Sequence, residues 1–535
     1  MRGDRRKLVF CSVMLAVTSL WAVEWGQAPN GEFWNGYAKR FVFAPAFGFK
    51  VVDAAAKYRY EVTDDWHRMH TFEAETPNAS LAAVWEKLPV GYVTVVCRGV
   101  GADGAAKGEA GRRTFWKKSA FDDSYPPAER TFSLAYMRVM DAYLNMDQTK
   151  YLVRHGRPDP DYYLSGYPSK MLSAQITALI QYAKKLGGNH SPIRDRYLGV
   201  AKRAADYLIA ESVPAGKPLE FFTRTYANGG EYGRFVGQED RIMLIYPARC
   251  GDAFVKLYEA TKEAKYLAAA ERIAATYMKF QGADGTWFLL QNAETGKEYA
   301  PNRLQPYPVI AFFEALYAAT KKPAYRETAD RAFAFVEKGP MRDWNWEGQF
   351  EDIRPASARW SNLTKHAACA TVLYLLKRFP GDAVRLAQAE ELVRFSEDQF
   401  VEWTIPYGDR AEPNGPDDGS WKYFCRPYSK WMTPCALEQY NCYHPIDASA
   451  DRFINTYLAL WRVTHKAEYL AKAKALGATA TRMQEADGFI NTWWIRGVER
   501  TDDRYHTWVN CMLATAQAFD NLAQAEQEEK TKGEK

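Results

Sequence analysis

The sequence lacks the common signatures of nucleotide and metal enzymes. Gly99-Val100-Gly101 followed by Gly104 falls in a β-turn region, not in a strand-to-helix glycine loop that would cradle phosphate. No His-Glu-x-x-His pair and no calcium-loop pattern occurs. After the first twenty residues no run of about 18 apolar residues appears, so nothing there reads as a membrane span. Neither charge sign dominates: 70 Lys and Arg against 65 Asp and Glu leave +5, too small and dispersed an excess for a nucleic-acid partner. Cysteine is scarce. Of eight, Cys11 lies in the N-terminal segment, and the remaining seven are an odd number, which argues against a complete disulfide framework. Cys250, Cys369 and Cys511 fall in helical patterns and read as small buried hydrophobes. Cys425, Cys435, Cys442 and His444 lack the paired C-x2-C spacing of a zinc site, so no metal and no cofactor is implied. A loop disulfide and free thiols both stay open.

What the chain has is aromatics, 15% of residues, with 17 Trp and 33 Tyr. Flat rings fill cores and also stack on the apolar faces of sugars. At the start, Arg2, Arg5, Arg6 and Lys7 precede the apolar stretch Leu8–Leu20, with Ala22 as a cleavage position. Residues 1–22 therefore read as a signal peptide. A secreted or periplasmic protein with no membrane attachment after cleavage is expected.

Residues 40–118 carry short strand-like runs such as Tyr58-Arg59-Tyr60-Glu61-Val62 and Val90–Val96, expected to form a small immunoglobulin- or fibronectin-like β-sandwich. Residues 119–130, with Tyr125-Pro126-Pro127, read as a stiff linker. From 131 to 528 the periodicity is helical, and 529–535 reads as a disordered tail. Helices are predicted over 131–145, 168–187, 192–213, 240–262, 264–282, 306–320, 324–338, 364–379, 382–400, 444–464, 466–485 and 505–528. They repeat. Tyr197, Tyr266, Tyr325 and Tyr469 each open an Ala-rich amphipathic helix after a polar break that follows a more apolar helix. Ala283-Asp284-Gly285-Thr286-Trp287 and Ala486-Asp487-Gly488-Phe489 place the same turn after two of those helices. The unit is a hairpin of roughly 60 residues, and the helices starting near 168, 240, 306, 364, 444 and 505 are the inner candidates.

Six hairpins, Asp-Gly-aromatic turns and long aromatic loops behind a β-sandwich resemble the six-hairpin glycosidase superfamily over residues 125–528. The resemblance implies a mainly α protein, an (α/α)6 toroid with a small N-terminal β-sandwich. It also implies a sugar-binding cleft at the N-terminal ends of the inner helices. An open helical solenoid is the competing architecture, but solenoid loops are short and uniform, whereas these are long and unequal.

In such a ring the outer-to-inner connections share one face. The connection at 339–364 is densest in chemistry: Asp343, Trp344, Trp346, Glu347, Glu351, Asp352 and Arg354. Glycoside hydrolysis needs one carboxylic acid to protonate the leaving oxygen and one carboxylate to attack or to activate water. Glu351 and Asp352 would point opposite ways in an extended segment, so either is expected to pair with an acid from another connection. Asp240 and Asp447 are the candidates. Tyr440 and His444 flank the next inner helix, whose N-terminus can lower the pKa of a nearby acid. The substrate-binding candidates are Trp344, Trp346, Trp360, Arg241, Tyr307, Arg426, Trp493, Trp494 and His506. The rings would stack on sugar and the guanidiniums would grip an acidic group. Against each stands a bland alternative: caps, loop packing or a structural histidine.

The function expected is an exported glycoside hydrolase acting on a polysaccharide or oligosaccharide, with an acidic substrate one option. A polysaccharide lyase or uronate epimerase using Tyr440, His444, Arg241 and His506 is the first alternative. A non-catalytic glycan-binding protein is the second.

Overall fold

The computed structural model describes residues 31–186, 192–227, 237–351, 358–405, 430–495 and 508–533. The signal-peptide expectation at 1–22 lies outside them. The chain divides into two compact units. The first joins the N-terminal residues through Ala120 to residues 371–399; the second holds nearly all the rest.

In the first unit, β1 (Arg40–Phe41), β3 (Lys57–Thr63), β4 (Met69–Ala74), β6 (Gly91–Val100) and β7 (Ala106–Lys117) form one sheet in the order β1-β7-β6-β3-β4. β3, β6 and β7 pair antiparallel, and β1 runs parallel to β7. Alternation of residue types sets the buried face. Tyr58, Tyr60 and Val62 of β3 lie beside Val93, Val95 and Cys97 of β6, all buried. The second layer is smaller than a sandwich sheet: β2 (Ala46–Gly48) pairs with β5 (Asn78–Ser80), next to the one-turn helix α1 (Ala82–Trp85). Helix α12 (Ala383–Phe400) completes this core. Phe395 packs on Phe33 and Trp34. The carboxyl of Asp398 accepts the backbone N–H groups of Val42 (2.7 Å) and Phe43 (2.9 Å).

The second oxygen of Asp398 is buried without a partner among the described residues. Burial pushes this carboxyl up to about 7 despite the nearby Arg394 charge and the two backbone N–H groups. The folded state therefore holds a proton that the unfolded chain releases near pH 4. The contribution to stability is full below that point and falls as pH rises towards about 7. Asp398→Asn, which keeps an acceptor for both N–H groups, is expected to flatten this part of the stability-versus-pH curve, measured by urea unfolding from pH 4 to 8.

The second unit is built of helical hairpins. α4 (Pro168–Leu186) pairs with α5 (Pro192–Ala210), α6 (Tyr246–Thr261) with α7 (Ala264–Phe280), and α8 (Tyr307–Thr320) with α9 (Pro323–Lys338). α13 (Asp447–Thr464) pairs with α14 (Ala467–Met483). α11 (His366–Arg378) precedes α12, and the division between units falls inside α11, after Ala370. Neighbouring first members pack side by side: α4 on α6, α6 on α8, and α13 on the last helix, α15 (Val509–Gly533). α15 also packs on α4 and on the earliest helix, α2 (Phe132–Asn145), so the end of the chain meets the start of the series. That contact closes an (α/α)6 toroid, with α2 as the outer partner of α15. Short α3 (Asp147–His155) and α10 (Pro340–Asp343) sit in connections.

The sequence repeat has a physical basis. α6, α8 and α13 end on residues in the left-handed conformation, Lys262, Lys321 and His465, four positions before Tyr266, Tyr325 and Tyr469. One residue earlier, Thr261, Thr320 and Thr464 each hydrogen-bond the carbonyl four residues back (2.7–2.8 Å), closing the helix end. The three tyrosines are buried and open the inward face of the next helix.

The Asp-Gly turns dock each outer helix on the next. Gln281 bonds Gly285 O and, across to α9, Thr328 O; Gln484 bonds Gly488 O and, across to α2, Ala135 O. Gly285 and Gly488 have φ of +90° and +93°, and a Cβ on either would stand 2.2 Å from a carbonyl oxygen of that next helix. Gly488→Ala is therefore expected to cost on the order of 3 kcal/mol, read as a lower urea midpoint. The final residues differ from expectation. α15 runs on through Gly533, supported by Arg462–Glu528 (3.0 Å) and Lys474–Glu529 (2.6 Å) pairs, where a disordered tail was expected from 529. Among the described residues no helix is long and apolar enough to cross a membrane.

Candidate functional site

The first two turns of the six inner helices, or the residue just before them, supply a cluster in the second unit whose members range from buried (Tyr246, Lys365, Asp447) to half-buried (Arg249, His366, Arg452). Lys170 comes from α4, Tyr246 and Arg249 from α6, and Tyr307 from α8. Lys365 and His366 start α11, Asp447, Asp451 and Arg452 come from α13, and Trp508 and Cys511 lie at the start of α15. Glu351, from the connection before α11, sits among them with its side chain fully buried. Lys170 forms an ion pair with one carboxylate oxygen of Glu351, and the Tyr246 hydroxyl donates to the other. Tyr226 donates to the Glu351 backbone carbonyl (3.1 Å). The Lys170 ammonium lies 3.9 Å from the centre of the Trp508 ring, which stacks on Tyr167. Arg249 donates to Tyr307 Oη (3.3 Å). Lys365 is fully buried and donates to the carbonyls of Leu437 (2.7 Å) and Glu438 (2.8 Å) and to Ser449 Oγ.

The two central carboxyl groups are biased in opposite directions. Burial alone would raise Glu351, but the Lys170 charge and the Lys170 and Tyr246 hydrogen bonds outweigh it and hold Glu351 below its ordinary value. Burial pushes Asp447 well above its ordinary value. The Ala448 N–H bond opposes this only in part, and Asp451 and Glu438 add to it. One Asp447 oxygen accepts Ala448 N–H (2.7 Å); the other is buried with no partner among the described residues. Burial raises the Cys511 thiol well above its ordinary value, and the charges of Asp447 and Glu351 add to this. Burial raises Asp451 to about 6 against the Arg452 charge. Burial also lowers Lys365 to about 7, against Glu438.

Both histidines are held neutral. Burial and then Lys365 take His444 down to about 3, and its Nε2 accepts the Trp493 indole N–H (2.6 Å), which leaves the proton on Nδ1. Burial lowers His366 well below its ordinary value, and the charges of Lys365, Arg452, Arg249 and Lys170 add to this.

No family model and no curated protein matches the chain. Solved structures do. A D-mannose isomerase superposes with a TM-score of 0.51 at 13% identity, covering 75% of this chain and 99% of its own. A family 76 glycoside hydrolase from a bovine Bacteroides thetaiotaomicron strain gives 0.49 at 10% identity, covering 90% and 94%. The cellobiose 2-epimerase of Spirochaeta thermophila gives 0.48 at 11%, covering 72% and 98%. At 13% identity the likeness to the isomerase is one of fold, the (α/α) toroid.

Within this toroid the sequence-derived candidates separate into groups. Glu351, Asp447 and Tyr307 join the central cluster, and His444 and Trp493 form a bonded pair that Lys365 influences. The first-turn position of Asp447 was expected to favour the charged form; burial reverses this. Asp240 accepts from Asn292 and Tyr299 (2.6 Å to the latter), and the Arg241 guanidinium covers the Tyr299 ring. Arg241 opens β8 (Arg241–Met243), which pairs with β9 (Leu290–Asn292), and Asp240 immediately precedes it, so both fasten the connection. Tyr440 is half-buried against the Phe400 ring. Trp346 and Trp494 are completely buried, so they form walls and offer no face to a sugar. Trp344 and Trp360, both with φ near +60°, are also buried. The Trp360 indole N–H bonds Asp343 O, and the Arg359 guanidinium covers its ring. Cys435 stands as a buried thiol. Asp352, Arg426 and His506 lie outside the described residues, as does Cys425.

Lys170, Tyr246, Arg249, Lys365, His366, Asp451 and Arg452 were not anticipated. The signal was present. They occupy the first two turns of helices whose starts the periodicity locates, or the residue just before, outside the connections in which acids and aromatics are concentrated.

Proposed function

We propose that the protein is a carbohydrate-active enzyme, and within that class an exported glycoside hydrolase. The fold supports the broad reading, because the solved structures that share it carry names of sugar-processing enzymes: an isomerase, an epimerase and a hydrolase. The narrower reading is carried by one observation, the opposite protonation bias of Asp447 and Glu351 in the same buried centre. Two carboxyl groups driven apart in this way are what acid-assisted glycoside cleavage needs. Asp447, neutral and with one oxygen unengaged, donates its proton to the leaving glycosidic oxygen. Glu351, kept ionised by Lys170, stabilises positive charge as the bond to the anomeric carbon breaks, and a water molecule then bonds to that carbon and returns a proton to Asp447. The N-terminal basic-then-apolar segment supports export.

A second reading rests on His366, which is half-buried, neutral and without a hydrogen-bond partner among the described residues. An unengaged imidazole is a base for removing a proton from a sugar carbon, as epimerisation, isomerisation or elimination requires. A glycan panel separates the two. Reducing ends appearing without new ultraviolet absorbance are expected. Unsaturated products, or a rearranged sugar with every glycosidic bond intact, would transfer the function to His366.

A further inference from the structure

We propose that the open face of the N-terminal sheet carries a non-catalytic glycan site, with Trp66 as the stacking platform and a row of threonine hydroxyls beside it, and that its ligand is a neutral polysaccharide chain. The choice of a glycan as ligand rests on the carbohydrate-active reading of the second unit.

Three observations lead there. First, Trp66 stands out from the fold. It is 65% exposed, and no other tryptophan among the described residues is exposed. It sits at the tip of the β3–β4 hairpin, in a run, Trp66 to Met69, whose every residue is exposed. Second, that tip is rigid. The side chain of Asp64 is completely buried. One of its oxygens accepts the backbone N–H groups of Trp66 and Arg68 (both 2.9 Å). The other accepts Arg68 Nε (2.9 Å) and lies 3.0 Å from His70 Nε2. The Arg68 guanidinium, balanced in this way by Asp64, also lies 4.4 Å from the centre of the Trp66 ring. It backs one face of the indole and leaves the other for a ligand. Third, the row of sheet residues next to the tip is uncharged. Strand register sets Met69, Thr63, Thr94 and Thr114 side by side, on the face opposite the buried Tyr58, Tyr60 and Val62. Met69 is 64% exposed, and the Thr94 and Thr114 hydroxyls are hydrogen-bonded to each other (3.0 Å). Further along the same face come ion pairs, Arg59 with Glu73 and Arg98 with Glu61 and Glu109.

A sugar ring has an apolar C–H face and a hydroxyl edge. The indole takes the face, and threonine hydroxyls, which both donate and accept, take the edge. Four strands about 4.8 Å apart make the row about 14 Å long, so it suits a chain and not a single sugar. The Arg68 charge is already paired, and Asp65, the other acid of the tip, lies against Gly91, so nothing here selects an acidic chain. A membrane surface would call for a basic patch or a broad apolar face. One indole beside one methionine is far smaller than a stable protein interface.

The test is electrophoresis of the whole protein through gels containing galactomannan, xyloglucan, mixed-linkage β-glucan or polygalacturonate, with co-sedimentation on phosphatidylglycerol vesicles beside it. At least one neutral polymer is expected to retard the wild type. Trp66→Ala is expected to weaken that binding about tenfold, while Trp66→Phe keeps most of it. Asp447→Asn, altered in the second unit, is expected to be retarded like the wild type. Because the Trp66 ring is exposed, the urea midpoint of Trp66→Ala should match the wild type and separate lost binding from lost folding. Retardation by no neutral polymer overturns the proposal, as does retardation that Trp66→Ala leaves unchanged. Binding confined to polygalacturonate or to the vesicles overturns it too. Retardation that depends on Trp66, with no glycan cleaved, would keep this site and remove the hydrolase reading. Cleavage with no Trp66-dependent retardation would do the reverse.

Discussion

Asp447→Asn is expected to lower turnover by roughly 10²–10⁴-fold on any glycan with a poor leaving group, the usual contribution of a general acid. The substitution is close to isosteric. An asparagine oxygen can still accept the Ala448 N–H, and the amide replaces a carboxyl that burial already keeps neutral, so little folding energy is at stake. The loss should therefore fall on kcat, with KM and the urea midpoint near the wild-type values. Leaving-group dependence sharpens the test. A substrate with an activated aryl leaving group needs no proton, so the variant should recover most of its rate on it. Equal losses on both kinds of substrate would remove Asp447 from the acid role. A drop in the urea midpoint as large as the drop in rate would assign it a structural role instead.

Much of this molecule was legible before the structure was known, because a repeated hairpin writes itself into sequence more than once. The tyrosines 266, 325 and 469, the threonines that close the preceding helices and the paired Asp-Gly turns are solutions to one packing problem, so twelve helices were placed with errors of a few residues. The largest error was at 240–262, where residues 241–243 form a strand and the helix starts at Tyr246. The polar start of that connection carries no periodicity to separate the two. The N-terminal unit was less legible. Its strands show alternation, but nothing in the spacing says that α12 supplies part of its core through Phe395 and Asp398, because that contact joins residues some 355 positions apart. The site was legible in part for the same kind of reason. Acids in connections, such as Glu351, stand out, and the tryptophans around them stand out just as strongly although Trp346 and Trp494 are core. Lys170, Arg249 and Arg452 look in sequence like ordinary polar positions of amphipathic helices; only ring closure turns their helix ends towards one another.

That closure also sets up the largest expected stability effect, from Lys170→Met. Lys170 and Glu351 are a buried pair, and removing one partner leaves the other charge uncompensated, a loss of about 3–5 kcal/mol in comparable buried pairs. Loss of the ammonium from the Trp508 face adds to it. The pH dependence tells this apart from simple loss of packing. In the wild type Glu351 lies below its ordinary value, so its share of stability is present above the unfolded pKa and declines as pH falls through the folded one. Without Lys170, burial is the leading influence and drives Glu351 upward, so stability should decline as pH rises across the same acid range. The slope changes sign. Adding Glu351→Gln to Lys170→Met removes the stranded charge, and the double variant is expected to regain most of the loss and to show no such slope in either direction. A single variant that costs less than about 1 kcal/mol, the range of exposed pairs, or a double variant no better than the single, would mean that the Lys170 charge does not hold Glu351 ionised, and the acid–base assignment built on that carboxylate would fall with it.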